Sequence, residues 1–118
     1  TCTRCMDACP TGAIVSSSVI DSRKCISYLT IEKKTPLTEK EIQMLNGWCF
    51  GCDSCQEVCP WNSKVSNTEC EEIKPKQEIL DIAPTELKSF SNSKFDNIFS
   101  DTPLSRAGYE RVVSNSNT

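Results

Sequence analysis

Two cysteine-rich segments of nearly the same spacing constrain the fold of this sequence more than any other feature. Residues 49–60 read C-x2-C-x2-C-x3-C-P, and residues 2–10 read C-x2-C-x3-C-P. A tight loop leading into a helical turn can aim thiolates two residues apart at neighbouring irons of a cubane cluster, while the last cysteine points to another cluster. The repeat therefore predicts two iron–sulfur clusters related by approximate two-fold symmetry.

The expected fold class is α+β, because the two motifs have the spacing of bacterial two-cluster ferredoxins. Residues 1–62 are predicted to form this ferredoxin-like module for two 4Fe-4S clusters, with a small β-hairpin. A polar connector is expected over residues 63–77, and a mainly helical C-terminal extension over residues 78–118. Because only 37% of the 118 residues are hydrophobic, the core should be thin and the fold should need a staple such as bound metal.

Composition excludes several other classes of function. The odd number of cysteines, nine, and the lack of a signal peptide argue against a disulfide framework and for reduced thiols in the cytoplasm. No histidine is present, which excludes imidazole acid–base chemistry and mixed Cys/His zinc sites within this chain. No apolar stretch approaches the roughly 18 residues of a membrane span. The net charge of −3 gives no general electrostatic case for nucleic-acid binding.

The first motif lacks the cysteine that would open it. That ligand would lie three residues before Cys2, upstream of Thr1, and the sequence has no initiator Met. We therefore expect a fragment whose N-terminal portion is absent. With three cysteines, the first cluster should be labile.

Spacing alone assigns most of the cluster ligands. Cluster 1 takes three cysteines, which are Cys2, Cys5 and Cys59. Cluster 2 takes three others, which are Cys9, Cys52 and Cys55. Its fourth ligand is either Cys49 or Cys25, and the ferredoxin spacing favours Cys49. Cys70 has no partner motif and is predicted to be a free thiol. A zinc site on the Cys2/Cys5 and Cys52/Cys55 pairs is the alternative, but zinc does not call for the repeated x3-C-P continuation.

Local signals predict the secondary structure around the motifs. Residues 11–20 should form a short hairpin, and a helix capped by Asp21 or Ser22 is expected over about residues 23–33. The box T-E-K-E at residues 38–41 should open a second helix, which ends near residues 46–47 (N-G). Asp53 is a candidate N-cap for the helix of the second motif.

The C-terminal extension shows helical spacing with polar ends. Ser91 is predicted to start a helix that carries Phe95, Ile98 and Phe99 on one side. Residues 102–103 (T-P) should open a last helix to about residue 113, followed by a frayed end over residues 114–118. The apolar residues of this extension are most simply core.

Four segments resemble a known family, the epoxyqueuosine reductases, which complete queuosine in tRNA with the help of cobalamin. These are residues 5–14 (C-x3-C-P-T-G-A-I), 21–32 (D-S-R-K-C-I-S-Y-L-T-I-E), 50–62 (F-G-C-D-S-C-Q-E-V-C-P-W-N) and the tail at 95–111. The segment C-I-S-Y-L-T-I-E is more specific than the cysteine spacing, because ordinary ferredoxins lack it. The resemblance covers most of the chain.

The resemblance implies a different fourth ligand from the spacing. In that family the cysteine of the C-I-S-Y segment, which corresponds to Cys25, ligates cluster 2, and the position of Cys49 is usually apolar. Ser27 and Tyr28 follow this ligand and could line the cobalamin or tRNA side, or simply belong to a packed helix. Nearby basic residues could contact tRNA phosphates or form a solvated helix face; they are Arg23, Lys24, Lys33 and Lys34.

The implied function is the electron-relay part of an enzyme that reduces epoxyqueuosine to queuosine at the tRNA wobble position. The resemblance implies two 4Fe-4S clusters and a cobalamin bound mainly by an N-terminal domain, with the proton donor also upstream. This segment would then hold no catalytic residue and be inactive alone. The expected partners are the tRNA and an external electron donor, with no membrane, for a cytoplasmic monomer. The alternatives are a stand-alone ferredoxin-type carrier or the cluster domain of a reductive dehalogenase.

Overall fold

The computed structural model describes residues 2–116. The first motif forms helix α1 (Arg4–Ala8), and a hairpin of β1 (Ile14–Ser16) and β2 (Val19–Ile20) follows it. The strands are antiparallel, with Ile14 opposite Ile20. The predicted hairpin is therefore confirmed, and with the helices it gives an α+β arrangement.

The segment after the hairpin differs from the single helix that we predicted over residues 23–33. A 3-10 turn (Ser22–Lys24) is followed by extended backbone at Cys25, and a π-helix (Tyr28–Glu32) comes next. Asp21 does cap the 3-10 turn, because its carboxylate accepts the Arg23 backbone N–H at 3.2 Å. That local hydrogen bond competes with a continuous helix, so the chain turns before it can extend the first element.

The second predicted helix is confirmed as α2 (Glu39–Met44), with the Thr38 and Glu41 capping box complete. Its end coincides with positive φ angles at Asn46 and Gly47, as the N-G pair predicts. The second motif forms the short helix α3 (Ser54–Glu57). Asp53 occupies the N-cap position, but its side chain makes no capping hydrogen bond, so that expected cap is wrong.

Residues 61–78, which include the stretch predicted as a connector (63–77), are exposed throughout and contain a 3-10 turn (Glu71–Ile73). Helix α4 (Gln77–Leu80) and a 3-10 segment (Pro84–Ser89) then lead into the C-terminal part. This exposure follows from the polar composition of the stretch, which has little apolar surface to bury.

Three helices end the described chain: α5 (Asn92–Phe99), α6 (Leu104–Ala107) and α7 (Tyr109–Asn115). Ser91 caps α5 as predicted, since its hydroxyl accepts the Lys94 N–H at 3.2 Å. The prediction of a single last helix was wrong. Gly108 (φ 82°, ψ 159°) separates α6 from α7 in a conformation that is essentially restricted to glycine.

The end of α7 was also predicted wrongly. Asn115 and Ser116 are buried rather than frayed, and residues 117–118 lie outside the described residues. Asn115 is held because its side chain bonds to the backbone of the second motif. Among the described residues, every helix is too short or too polar to cross a bilayer.

The core consists of two separate clusters of buried side chains. The larger belongs to the C-terminal part, as its helical spacing predicted, and contains Leu87, Phe90, Phe95, Phe99 and Val112. The smaller lies beside the cysteine motifs and contains Ile26, Leu29 and Leu45. The second motif contacts both clusters, because Cys52 packs against the smaller one and Cys49 and Phe50 pack against the larger one.

Candidate metal centre

The two cysteine-bearing helices, α1 and α3, pack against each other, which brings the two motifs together. Cys5 lies in α1, and Cys55 lies in α3. Both helices are followed by a Cys-Pro pair. The two motifs therefore form the same local element, a short helix followed by a Cys-Pro pair.

Four cysteines line one small cavity of about 70 Å³, and they come from three separate segments of the chain. They are Cys9 from the first motif, Cys25 before the π-helix, and Cys52 and Cys55 from the second motif. All four are half-buried. The rest of the lining is mainly apolar and includes Ala13, Ile14, Ile20 and Ile26. Such a lining limits the access of water to whatever the thiols bind.

This donor set fits a 4Fe-4S cluster, which needs four cysteine thiolates. Within residues 2–116, no group of three or more His, Cys, Asp or Glu side chains is arranged around a single metal ion. A mononuclear zinc site requires four ligands that converge at about 2.3 Å from one ion. Cys2 and Cys5, which form half of the zinc alternative, are not among the residues that line this cavity.

Hydrogen bonds around Cys9 favour its thiolate form. The Ala13 N–H donates to the sulfur at 3.3 Å, and the Thr11 hydroxyl lies 3.6 Å from it. Burial raises the pKa of the Cys9 thiol, but the hydrogen bonds from residues 11–14 outweigh it, so the pKa lies below its ordinary value. Donors aimed at a sulfur stabilise the charged form, which is the form that binds iron.

Cys49 has different surroundings from Cys25. Its side chain packs against the larger apolar cluster of the C-terminal part, and it is not among the residues that line the cavity. Burial raises the pKa of the Cys49 thiol, which keeps it protonated and behaving as a small apolar side chain. Cys25 thus shares a cavity with Cys9, Cys52 and Cys55, whereas Cys49 packs against the C-terminal cluster.

The cysteines assigned to cluster 1 are more open to solvent. Cys2 is exposed, whereas Cys5 and Cys59 are half-buried. Cys70 is exposed, ten residues after the end of the second motif, and its thiol donates to Glu72 at 3.0 Å. Nothing in this local contact links Cys70 to the other cysteines.

Ser27 and Tyr28 occupy different positions beside the cavity. Ser27 lines the cavity, and its hydroxyl donates to the Cys52 carbonyl at 3.3 Å. Tyr28 is 38% exposed and lines a shallow depression of about 360 Å³ together with Lys33 and Lys34. Tyr28 therefore faces outward, whereas Ser27 faces the second motif.

Two of the four basic residues singled out from the sequence are engaged in ion pairs. The Arg23 guanidinium pairs with Asp21 at 2.8 Å, and the Lys33 ammonium pairs with Glu41 at 2.6 Å. The hydrogen bond from Lys33 holds the pKa of the Glu41 carboxyl at about 2, well below its usual range. For the described residues this leaves Lys24 and Lys34 as exposed basic side chains outside these pairs.

Sequence reasoning missed the residues that hold the second motif from behind. The Thr30 hydroxyl accepts the Gly51 N–H at 3.0 Å, and the Asn115 side-chain amide donates to the Cys49 carbonyl at 3.0 Å. These partners are 21 and 66 residues apart, so no local pattern could reveal them. Thr30 lies in the C-I-S-Y-L-T-I-E segment, which is the one sequence signal that pointed near it.

The comparison with protein families matches residues 1–62 to the 4Fe-4S double cluster binding domain. Curated relatives cover almost the whole chain. An epoxyqueuosine reductase of Cellulophaga algicola is 38% identical over 116 residues, which is 98% of this chain. One of Pseudomonas aeruginosa is 40% identical over 114 residues, which is 97% of this chain. The resemblance expected from the motifs is confirmed.

Solved structures give the same result. A crystal structure of epoxyqueuosine reductase with an epoxyqueuosine-modified tRNA stem loop matches 98% of this chain with a TM-score of 0.86 at 34% identity. This chain covers 31% of that structure, and 38% and 32% of the two curated relatives. The chain therefore spans about a third of the length of the proteins that it matches.

Proposed function

The chain belongs to the 4Fe-4S double cluster binding domain family, and from its similarity to epoxyqueuosine reductases we propose that it is the electron-relay module of such an enzyme. The reaction of such an enzyme reduces epoxyqueuosine to queuosine at the tRNA wobble position. One observation carries the proposal: Cys25, in the C-I-S-Y-L-T-I-E segment, shares a cavity with three cysteines of the two motifs. A ferredoxin built from the two motifs alone has no such segment.

The proposed ligands of cluster 2 are Cys9, Cys25, Cys52 and Cys55. Their common cavity supports this assignment, and so does the burial of Cys49 against the C-terminal helices. The proposed ligands of cluster 1 are Cys2, Cys5 and Cys59, with a further ligand outside this sequence. The contact between α1 and α3 supports this second set.

When bound, the two clusters supply one-electron transfer between an external donor and cobalamin. The chain's own residues prepare the site for cluster 2. The N–H of Ala13 and the hydroxyl of Thr11 stabilise the Cys9 thiolate, and apolar neighbours such as Ile14 and Ile20 limit the access of water. Solvent exposure and hydrogen bonds to sulfur are among the factors that set the potential of such a cluster.

The proposal also covers organisation and partners. Residues 1–62 would be the cluster module, residues 63–77 the connector and residues 78–118 the helical extension. Cobalamin would be bound mainly outside these residues, and the tRNA would approach the depression that Tyr28 and Lys34 line. We expect a cytoplasmic monomer that takes its electrons from an external donor.

The ligand assignment is tested by comparing Cys25→Ser with Cys49→Ser in the protein loaded with iron and sulfide. We expect Cys25→Ser to lose one of two clusters, measured as iron content and as the EPR signal after reduction. Cys49→Ser should keep both clusters and serves as the matched control, because the two thiols differ in their access to the cavity. Loss of one cluster in the Cys49 variant alone would overturn the assignment.

The activity is tested on tRNA that carries epoxyqueuosine, with the complete protein that contains this chain and with cobalamin and a reductant present. We expect conversion to queuosine, and its loss in Cys25→Ser with tRNA binding retained. A protein whose two clusters are loaded and reducible, but which leaves the epoxide unchanged, would instead support a stand-alone electron carrier.

A further inference from the structure

One buried hydroxyl lies at the centre of the contact between the π-helix and the second cysteine motif. The Thr30 side chain is fully buried, with an exposed fraction of 0%. Its oxygen donates to the Ile26 carbonyl at 2.8 Å and accepts the Gly51 N–H at 3.0 Å. Both hydrogen-bonding functions of the hydroxyl are therefore used inside the protein, and both go to backbone groups.

The two partners are the chain neighbours of two cysteines that line the cavity. Ile26 follows Cys25 directly, and Gly51 precedes Cys52 directly. Thr30 thus joins the backbone beside one thiol to the backbone beside another, across 21 residues of sequence. A second hydroxyl acts in the same place, because Ser27 donates to the Cys52 carbonyl at 3.3 Å.

The backbone at this point needs support. Gly51 has a φ of 70°, in the left-handed region that glycine tolerates best, and the loop before α3 carries Cys52 at the cavity. If the hydroxyl of Thr30 were removed, the Gly51 N–H would lose its partner in a half-buried position. An unpaired polar group of this kind pulls the loop towards water or another acceptor, and the adjacent sulfur moves with it.

We propose that Thr30 is a positioning residue for cluster 2, with Ser27 assisting it. Its hydroxyl fixes the separation and direction of the Cys25 and Cys52 thiols, and in this way it sets the electronic environment of the cluster. The proposal rests on the assignment of Cys25 and Cys52 as ligands given above. It goes beyond that assignment because Thr30 and Ser27 are not ligands themselves. They position the residues that are.

The physical reason is the sensitivity of a cluster to the groups around its ligands. Reduction potentials of iron–sulfur clusters depend on hydrogen bonds to sulfur and on solvent exposure, and partners outside the ligand set influence metal affinity. A hydroxyl with only a structural role would change the stability of the fold and leave the potential and the EPR signature of the cluster unchanged. The two roles can therefore be separated by experiment.

The test compares Thr30→Val, which keeps the shape and removes the hydroxyl, with Thr30→Ser, which keeps the hydroxyl. Both variants are made in the complete protein loaded with two clusters. We expect Thr30→Val to shift the midpoint potential and the EPR g-values of one cluster, and to release its iron to a chelator about tenfold faster. Thr30→Ser should restore the wild-type potential and signature.

Thr102→Val is the matched control. Thr102 also donates to a backbone carbonyl, that of Phe99 at 2.8 Å, and accepts a backbone N–H, that of Leu104 at 3.3 Å. Its removal should lower the unfolding midpoint without moving the potential of either cluster. If Thr30→Val also leaves the potential of both clusters unchanged, the proposal is wrong.

Two further variants cover the remaining outcomes. If Thr30→Val does not load its clusters, Ser27→Ala provides the test. It removes the second hydrogen bond to the same loop, so it should shift the midpoint potential of the same cluster by a smaller amount. An unchanged potential and signature in Ser27→Ala would then overturn the proposal.

Cys25→Ser identifies which signal belongs to cluster 2. If Cys25→Ser leaves both clusters in place, the ligand assignment fails; if it removes one and the Thr30 variants change neither, the positioning role alone fails.

Discussion

The helices that carry the cysteines and the helices that end the described chain are built on opposite principles. Neither α1 nor α3 contains a single buried residue. In contrast, α5 buries Phe95 and Phe99, and α7 buries Val112. A short helix gains most of its stability from packing an apolar face, so α1 and α3 lack the usual source of stability and α5 and α7 have it.

This difference shows where bound metal is needed for the fold. The C-terminal part has an aromatic core, in which the rings of Phe95 and Phe99 lie 4.9 Å apart and Tyr109 packs edge-on against Phe95. The small cluster beside the cysteines buries only Ile26, Leu29 and Leu45 within the described residues. We infer that thiolate–iron bonds take the place of an apolar core in the cluster-binding part, because binding free energy at a site that the unfolded chain lacks contributes to folding.

The largest effect should follow removal of the iron. We expect chelation to speed amide hydrogen exchange throughout α1, α3 and the loop before α3, while α5 and α7 keep their protection. The reason is that α1 and α3 would lose the thiolate–iron bonds that hold them, whereas the aromatic core does not contain iron ligands. Exchange measured by mass spectrometry on the loaded and the iron-free protein checks this. Equal protection of α1 and α3 in both states would show that the polypeptide alone holds them.

A cavity in the aromatic core should destabilise the other region. Phe95 is 1% exposed and contacts two other aromatic rings, so Phe95→Ala should lower the free energy of unfolding by about 3–5 kcal/mol. Leu80→Ala is the control, because Leu80 is 60% exposed and its change should stay within about 0.5 kcal/mol. Urea unfolding followed by fluorescence measures both. A Phe95 variant as stable as the Leu80 variant would contradict a core at this position.

Arg111 connects the C-terminal part to the cluster-binding part through hydrogen bonds, and a substitution can remove them. Its guanidinium donates to the carbonyls of Leu29 (3.1 Å), Lys33 (2.7 Å) and Thr35 (3.1 Å), at the end of the π-helix. Arg111→Ala should cost about 2 kcal/mol, because hydrogen bonds from a charged donor are stronger than neutral ones and the three carbonyls lose their partner together. Urea unfolding of the loaded protein gives the value.

Arg106→Ala is the matched control for Arg111, since it cuts another contact between the same two regions. Arg106 pairs with Glu32 at 2.7 Å, but the two side chains are 66% and 40% exposed. An exposed pair contributes little, so the change should stay below about 1 kcal/mol and shrink with added salt. Equal losses in the two variants would mean that the carbonyl contacts of Arg111 add nothing beyond its charge.

Prediction from the sequence succeeded where the signal was local. The Thr38 and Glu41 capping box, the Ser91 cap and the hairpin each involve residues a few positions apart, and the structure contains all three. It failed where a side chain or a backbone turn serves the rest of the fold. Extended backbone at Cys25 breaks the helix that periodicity predicted, and Gly108 divides the last helix.

The candidate metal centre was likewise predictable only in part. The motif spacing identified Cys9, Cys52 and Cys55, which share the cavity, but by itself it favoured Cys49 over Cys25. Spacing cannot distinguish them, because it does not show that Cys49 packs against helices some 40 to 60 residues later in the chain. The same limit hid Arg111, whose carbonyl partners lie 76 to 82 residues away.

The smallest effect on the free energy of unfolding should come from a polar contact within the cluster-binding part. Glu41 accepts from Lys33 at 2.6 Å and from the Thr38 N–H at 2.8 Å, and these contacts hold its pKa at about 2. Glu41→Gln should lower the free energy of unfolding by about 1 kcal/mol, as is typical of a partly exposed pair with a capping bond. Glu39→Gln, in the same first turn of α2, is the control and should change it less.

The pH dependence of the Glu41 effect follows from the direction of its pKa shift. Because the folded pKa lies below the ordinary value of 4.5, the stabilisation is fully present above about pH 4.5 and is lost only as the pH falls towards 2. The difference between wild type and Glu41→Gln should therefore be the same at pH 5 and pH 7, and it should shrink as the pH falls from about 4.5 towards 2. A difference that stayed constant as the pH fell from about 4.5 towards 2 would mean that Glu41 titrates normally and that Lys33 does not hold its pKa down. The cluster-binding part would then depend on its metal even more than its sparse apolar core implies.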